Sequence, residues 1–156
     1  MNKNAYIIFV LENQYYGLSV NTIKNVIRAV ALTNLAEGPD LVAGLLNIGG
    51  EFIPVVNIRE QLSLPQKKIQ ISDRIIIAQV FEYTIAFIAD AIEDVVELEQ
   101  VPIDDSADIF PGMEKFLKGI SRFNDETVLI YDISTLFPEK EIRHINDVLQ
   151  EIEEPA

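Results

Sequence analysis

The sequence predicts an all-β fold with short helices, in which two β subdomains of about five strands each pack together and a C-terminal amphipathic helix follows. Short apolar runs separated by turn-forming residues fill most of the chain, as in proteins built from hairpins. The order of hairpin, bent segment, loop and hairpin occurs twice, which indicates two related units. The segment 139–153 carries apolar residues at helical spacing and predicts the terminal helix.

The first predicted hairpin joins the apolar runs Ala5–Leu11 and Tyr15–Val20 through a polar turn. The next segment, Asn21–Arg28, has apolar residues at a spacing that fits either a helical turn or a bent strand. A loop over Thr33–Pro39 separates it from the following hairpin.

The central predicted hairpin has the pair Gly49-Gly50 between the apolar runs Leu45–Ile48 and Phe52–Ile58. Glycine tolerates the positive φ of a tight hairpin turn, so this pair predicts the turn. Pro54 has no N–H for a ladder, and we therefore expect it at a strand edge or strand start. A short helical turn is predicted over Arg59–Leu64.

The second half of the chain repeats this organisation. Its predicted strands, in order, are Arg74–Val80, Thr84–Ala89, Asp90–Leu98, Lys118–Phe123 and Thr127–Ile133, with an acidic loop over Glu99–Gly112. The helix over 139–153 has Ile142, Ile145, Val148, Leu149 and Ile152 on one face, which must be buried against the β body.

The internal repeat defines the expected domain organisation. Gly17–Ile27 aligns with Ala86–Val96 at an offset of 69 residues, and Gly44–Ile58 aligns with Gly119–Ile133 at an offset of 75. We expect one domain over residues 1–156 with halves at approximately 15–66 and 72–138, strand 5–11 completing one barrel. Halves of this size bury little alone, so they should share a core and leave a functional groove between them.

The charge balance narrows the classes of partner. Twelve basic and 25 acidic residues give a net charge of −13, which argues against nucleic acid and anionic membrane as partners. No apolar run approaches the roughly 18 residues of a membrane span. We therefore expect a soluble, cytoplasmic protein without direct membrane insertion.

The sequence offers no convincing catalytic, metal or cofactor site, and we expect a non-enzymatic protein without a cofactor. There is no cysteine and only one histidine, His144, so soft ligands for zinc or copper are lacking. The acidic segment Asp104–Asp108 lacks the glycine turn and distal glutamate of a calcium loop. The serines considered as nucleophiles have no plausible base; they are Ser19, Ser121 and Ser134. An enzyme remains the residual alternative.

A binding surface is the functional prediction that remains. Its candidate elements are the bent segment Ile23–Arg28, the hairpin tip Asn47–Gly50, and the apolar loop residues Ile109, Phe110 and Met113. The alternative for Ile23 and Val26 is that they are simply core residues.

Four stretches, in order along the chain, resemble the CheW-like domain family of bacterial chemotaxis adaptors. They are Tyr16-Gly17 with Ile23-Lys24-Asn25-Val26; Gly44–Gly50 with Ile53–Arg59; Ala89–Val95; and Gly119-Ile120 with Val128–Ile133. Each stretch alone is a short apolar strand, and their ordered combination is what carries the resemblance.

The resemblance implies two SH3-like five-stranded β-barrel subdomains and a non-enzymatic scaffold. Proteins of this family bind the cytoplasmic tip of chemoreceptors and the regulatory domain of the histidine kinase CheA. Matching to the family's motif positions makes Ile23, Asn25, Val26, Ile48 and Gly49 the expected partner-binding residues.

The chain departs from the family pattern at two of these positions. The family usually has Asn-Leu-Arg-Gly where this chain has Asn47-Ile48-Gly49-Gly50, and usually has an acidic residue where this chain has Asn25. Our hypothesis is that the two missing charges faced each other near the partner surface and were lost together, because a lone buried charge is costly. The departures leave open a divergent paralogue that competes for positions in the receptor array or serves another chemosensory pathway, such as twitching motility.

Overall fold

The computed structural model of the chain describes residues 4–34, 40–99, 101–102 and 117–153. Strands make up most of it. In chain order they are β1 (Asn4–Leu11), β2 (Gln14–Ser19), β3 (Ile23–Arg28), β4 (Val42–Ile48), β5 (Glu51–Val56), β6 (Arg74–Val80), β7 (Tyr83–Ala89), β8 (Ala91–Leu98), β9 (Val101–Pro102), β10 (Leu117–Phe123) and β11 (Glu126–Tyr131). The helices are α1 (Ile58–Gln61), α2 (Ile133–Leu136) and α3 (Glu139–Glu153), and a 3-10 turn covers Val20–Thr22.

The strands form two sheets, which confirms the predicted all-β class. Sheet I has six described strands in the order β8-β1-β2-β11-β10-β9, and sheet II has five in the order β3-β6-β7-β5-β4. Sheet II thus has the expected strand number, whereas the two-residue β9 adds a sixth strand to the edge of sheet I. The predicted C-terminal helix is confirmed as α3.

The two sheets have the same internal plan. Each consists of two hairpins joined by a parallel contact, β2 with β11 in sheet I and β5 with β7 in sheet II. A further strand lies at one edge, β8 beside β1 and β3 beside β6. The sequence repeat is therefore also a repeat of topology.

The predicted halves 15–66 and 72–138 each contribute strands to both sheets. Sheet I combines the hairpin β1-β2 with strands from the second half, and sheet II combines the hairpin β6-β7 with strands from the first half. Because β2 of the first half pairs with β11, and the β6-β7 hairpin of the second half pairs with β3 and β5, neither sheet can form from one half alone.

The Gly49-Gly50 turn is confirmed. Gly49 has φ of 59° and Gly50 has φ of 89°, the signs that a two-residue type I′ hairpin turn needs. The aligned pair in the other half, Asn124 and Asp125, also has positive φ, 51° and 63°. Asn and Asp are the non-glycine residues that tolerate this region best, so the two hairpins close in the same way with different residues.

The expectation that Pro54 lies at a strand edge or start was wrong. Pro54 is the fourth residue of β5, a strand with neighbours on both sides. It lies opposite Leu45, three pairs from the turn-closing pair of Ile48 with Glu51. Pairs alternate between hydrogen-bonded and non-hydrogen-bonded in an antiparallel ladder, so Pro54 falls in a pair that needs no N–H towards β4.

The bent segment is a 3-10 turn followed by an irregular strand. The Ser19 side chain accepts the N–H of Asn21 at 3.3 Å and caps the turn. β3 then pairs with β6, and the register shifts between Ile23 and Asn25. This bulge bends the strand, so the bent-strand alternative is correct and the helical one survives only as the preceding turn.

One hydrophobic core joins the sheets and the terminal helix. Phe9 of β1 contacts Tyr16 of β2 and Phe87 of β7, with ring centroids 5.7 and 5.5 Å apart. From α3, Ile142 and Ile145 belong to the same cluster. The halves therefore share a core, as expected, and the apolar face of α3 covers part of it.

Candidate partner-binding site

The first group of predicted partner-binding residues lies on β3, an edge strand of sheet II. Ile23 and Val26 are half-buried and pack against the main core, while Asn25 is exposed. The Asn25 carboxamide oxygen accepts the N–H of Val26 at 2.9 Å. The two apolar residues thus contact the core and also leave part of their surface on the outside of the sheet.

The second group lies at the tip of the β4–β5 hairpin. Ile48 is 41% exposed, and a Cβ atom at Gly49 would meet no atom within 4 Å. The Asn47 side chain accepts the N–H of Gly50 at 3.0 Å, which holds the turn in place. The tip is therefore an ordered apolar feature with open space around it.

The strand order does not make these two groups neighbours. β3 and β4 are opposite edges of sheet II. The chain that leaves β3 nevertheless returns to β4, where Thr33 and Leu45 exchange two backbone hydrogen bonds of 2.8 Å. Both groups therefore belong to the edges of one sheet.

Some sequence-predicted candidates lie outside the described residues. They are the apolar loop residues Ile109, Phe110 and Met113 and the acidic segment Asp104–Asp108.

Sequence reasoning missed a charge cluster centred on Arg59, which we call the junction cluster. Arg59 is 7% exposed and donates from Nη2 to both carboxylate oxygens of Asp90, at 2.7 and 2.9 Å. Its Nη1 donates to Glu12 and to the carbonyl of Pro65. Such charge-assisted contacts are among the stronger hydrogen bonds in proteins.

The junction cluster connects the two sheets. Asp90 lies between β7 of sheet II and β8 of sheet I, and its backbone N–H donates to Val10 of β1 at 2.8 Å. Its carboxylate also accepts the N–H of Glu12, in the turn after β1, at 3.0 Å. Arg59 itself stands in α1, directly after β5. The Arg59 guanidinium therefore stabilises the place where the chain passes from sheet II to sheet I.

Lys67 extends the junction cluster to the connector before β6. Its Nζ lies 3.2 Å from an Asp90 oxygen and 3.6 Å from Oδ1 of Asp73. Asp73 is 2% exposed, and its other oxygen accepts the N–H of Gln70 at 2.7 Å. A cavity of about 70 Å³ lies beside these side chains.

The shifts of pKa in the junction cluster favour the charged forms. Burial alone would raise the pKa of Asp90, but hydrogen bonds from Arg59, the Glu12 backbone and Lys67 outweigh burial and lower it. Burial likewise opposes the charge of Arg59, and the bonds to Glu12 and Asp90 raise its pKa. A carboxylate held ionised in this way acts as an electrostatic clamp rather than as a proton donor.

The serines weighed as nucleophiles have structural partners. Ser19 caps the 3-10 turn, Ser121 donates to the carbonyl of Glu99 at 2.7 Å, and Ser134 donates to Asp132 at 2.6 Å. Among the residues that the structure describes, no group of three or more histidine or carboxylate side chains is arranged to hold a metal ion.

One signal for the junction cluster was present in the sequence. Arg59 and Asp90 each follow closely on a buried strand, inside stretches that carry the family resemblance. Their separation of 31 residues, and that of 47 between Arg59 and Glu12, made the pairing invisible without the fold.

Within the described part of the chain, no helix combines the length and apolar character needed to cross a membrane.

Comparison with known proteins identifies the family. A model of the CheW-like domain matches residues 5–141. The chemotaxis protein CheW of Treponema pallidum is 22% identical over 89% of this chain and 85% of its own length, and that of Bacillus subtilis is 26% identical over 74% and 78%. The crystal structure of the scaffolding protein TtCheW from Thermoanaerobacter tengcongensis superposes with a TM-score of 0.72 at 23% identity, covering 90% of this chain and 96% of that one. The chain therefore belongs to the CheW-like family, as a chemotaxis scaffold and not an enzyme.

Proposed function

We propose that this protein is a cytoplasmic coupling adaptor that links the tips of chemoreceptors to the regulatory domain of the histidine kinase CheA. The observation that carries the proposal is the family match over residues 5–141, because it spans both sheets and both groups of predicted partner-binding residues. An adaptor of this kind works by a coupling free energy: receptor state biases kinase state through a shared scaffold.

The partner-binding residues in this proposal are Ile23, Asn25, Val26, Ile48 and Gly49. Exposed apolar surface at Ile48 and the accessible parts of Ile23 and Val26 suit a partner helix that presents an apolar face. Asn25 and Gly49 carry no charge, so recognition at these positions depends on apolar contact and shape rather than on ion pairing.

Charge substitutions at the tip and on β3 test the proposal. Ile48→Asp and Val26→Asp should each weaken binding of a receptor-tip fragment or of the CheA regulatory domain by about tenfold or more, because a carboxylate would be desolvated in the interface. Isothermal titration calorimetry measures both affinities. Ile48 is the more informative site, since its exposed side chain can be replaced without disturbing the core.

Val95→Asp is the matched control, because Val95 is 56% exposed on sheet I and lies outside the proposed surface. Gly49→Asp with Gly49→Asn separates charge from backbone effects, since both residues tolerate positive φ. Unchanged affinity of Ile48→Asp and Gly49→Asp for both partners would overturn the assignment of these residues.

A reconstituted kinase assay tests the adaptor role itself. Adding this protein to receptor and CheA should raise receptor-controlled phosphorylation. A decrease would instead identify a competitor for array positions and contradict the proposal.

A further inference from the structure

A second exposed apolar surface lies at the far end of β3 from Ile23, and we call it the Ile71 patch. It is a groove lined by the segments Ala29–Ala31 and Ile69–Ile71. Ile71 is 95% exposed, Val30 46% and Ile69 38%, so three of the exposed large hydrophobic side chains of the described chain meet here. Clustered apolar exposure of this kind marks interaction sites more often than single exposed residues do.

The residue at the centre of the patch is held out by an ordered turn. Gln70–Asp73 is a β-turn closed by the N–H of Asp73 to the carbonyl of Gln70 at 3.0 Å, and Ile71 occupies its second position. Such turn positions favour proline and polar residues, so an isoleucine there is unusual. The buried Asp73 carboxylate also accepts the N–H of Gln70.

The segment before this turn is anchored as well. The Pro65 carbonyl accepts a hydrogen bond from Arg59 at 2.7 Å, and the Gln66 side-chain oxygen accepts one from the Asn57 amide at 2.9 Å. Lys67 pairs with Asp90 and Asp73. Folding therefore already orders this connector, so a partner that binds it does not have to supply that conformational entropy cost. Presenting apolar side chains on a pre-ordered segment lowers the cost of binding.

The charge around the patch is opposite to that of the protein as a whole. The contributing stretches 28–34 and 62–72 contain no acidic residue, and Asp73, which ends the turn, is buried and pairs with Lys67. Arg28 and Arg74 lie opposite each other in the β3–β6 pair, and Arg74 donates to the carbonyls of Ser72 and Asp73 in the turn. In the part of the chain that the structure describes, neither arginine has a carboxylate within ion-pair distance. Lys68, exposed, precedes Ile69.

We infer that the Ile71 patch docks an acidic segment of another protein that places an apolar side chain against Ile71 and carboxylates against the basic rim. Charge complementarity selects this occupant, since Arg28 and Lys68 directly precede the two segments that line the groove, and Arg74 contacts the turn that presents Ile71. An anionic membrane would also be attracted to basic residues, but the net charge of −13 opposes its approach to the rest of the surface. The inference does not depend on the proposed adaptor function, because it concerns other residues.

Nuclear magnetic resonance with ¹⁵N-labelled protein and synthetic peptides tests it. The acidic apolar peptide EELLEE should shift the amides of Ala29–Ala31 and Ile69–Ser72. The peptides KKLLKK and EESSEE should not, because the first reverses the charge and the second lacks the apolar side chains. Raising the salt concentration should weaken the EELLEE contact.

Two variants divide the contact into its parts. Ile71→Ser should weaken EELLEE binding by about tenfold, the loss of a largely buried aliphatic contact. Lys68→Glu should weaken it while Ile71 stays in place. The matched controls on sheet I are Val95→Ser and Lys118→Glu, both at exposed positions, and these should bind as the unmodified protein does.

Several results would overturn the inference. They are the absence of amide shifts at Ile69–Ser72, equal binding of KKLLKK, and Ile71-dependent binding to phosphatidylserine vesicles, which would identify a membrane surface. A dimer in sedimentation that Ile71→Ser abolishes would assign the patch to a second copy of the chain instead.

Discussion

Sheets I and II share one arrangement of five strands, yet the residues at their equivalent hairpin tips differ in exposure. Ile48, before the Gly49-Gly50 turn of sheet II, is 41% exposed. Its equivalent in sheet I, Phe123, is half-buried and packs against Tyr15 with ring centroids 5.8 Å apart. Among exposed large hydrophobic residues in the described ranges, only Val95 belongs to sheet I. The two sheets thus repeat the same fold but not the same surface, and the exposed apolar residues suited to recognition belong mainly to sheet II and its connections.

The interior differs between the copies as well. Asn57 caps α1 and its equivalent Asp132 caps α2, each accepting an N–H of its own helical turn. Two residues after each capping residue the two halves differ: the first has Arg59 and the second has Ser134. Only the copy with arginine builds the junction cluster. Replacing a residue of one half by its equivalent in the other therefore measures what that difference contributes to the free energy of unfolding.

The largest effect is expected from Arg59→Met. The variant keeps the volume of the side chain but leaves Asp90 and Glu12 without their buried cation, which should lower the free energy of unfolding by about 3 kcal/mol. Ser134→Ala, at the equivalent position, removes only the local bond to Asp132 and should cost about 1 kcal/mol or less. Urea denaturation measures both. Equal losses for the two variants would show that the junction cluster adds no stability beyond a local cap.

A smaller, pH-dependent effect is expected from Asp90→Asn, which installs the residue found at the equivalent position, Asn21. The pKa of Asp90 is lowered below 3.8 in the folded protein. Its contribution to stability is therefore complete above pH 3.8 and is lost as the pH falls from 3.8 through the folded pKa, because the unfolded chain takes up the proton first.

The difference in unfolding free energy between the unmodified protein and Asp90→Asn isolates this contribution from the other carboxylates. That difference should stay constant at pH values well above 3.8 and shrink as urea titrations are repeated towards pH 3. A constant difference across this range would mean that the Asp90 charge is not what the contacts stabilise.

The sequence predicted what is local and missed what depends on which strands meet. Alignment of the halves paired Gly49-Gly50 with Asn124-Asp125, and all four residues have positive φ. The apolar spacing of α3 is also local, and both its existence and its bounds were predicted. The crossing of β1-β2 and β6-β7 between halves was not predicted, because apolar alternation says which face of a strand is buried but not which strand lies beside it.

Pro54 and the junction cluster show the same limit for single residues. The Pro54 nitrogen faces away from β4 and towards β7, and the pairing of β5 with β7 is limited to Val55 with Ala86, so the missing N–H is tolerated through the register of both neighbours. Arg59, Asp90 and Glu12 become one cluster only through contacts between residues far apart in sequence. The partner-binding residues taken from the family resemblance stay a prediction that binding experiments must decide.

The smallest effect concerns the hairpin tip itself. Gly49 has φ of 59°, a conformation that costs an alanine about 1 kcal/mol because its Cβ approaches the backbone. Asparagine, the residue at the equivalent position of sheet I, tolerates this conformation. Gly49→Ala should therefore lower the free energy of unfolding by about 1 kcal/mol and Gly49→Asn by less, as measured by urea denaturation. Since a Cβ at Gly49 would meet no atom within 4 Å, the loss in Gly49→Ala cannot come from a steric clash with the rest of the protein. If Gly49→Asn were the more destabilising of the two, the tips of sheets I and II would not be conformational equivalents, and the likeness between the copies would end at the strands.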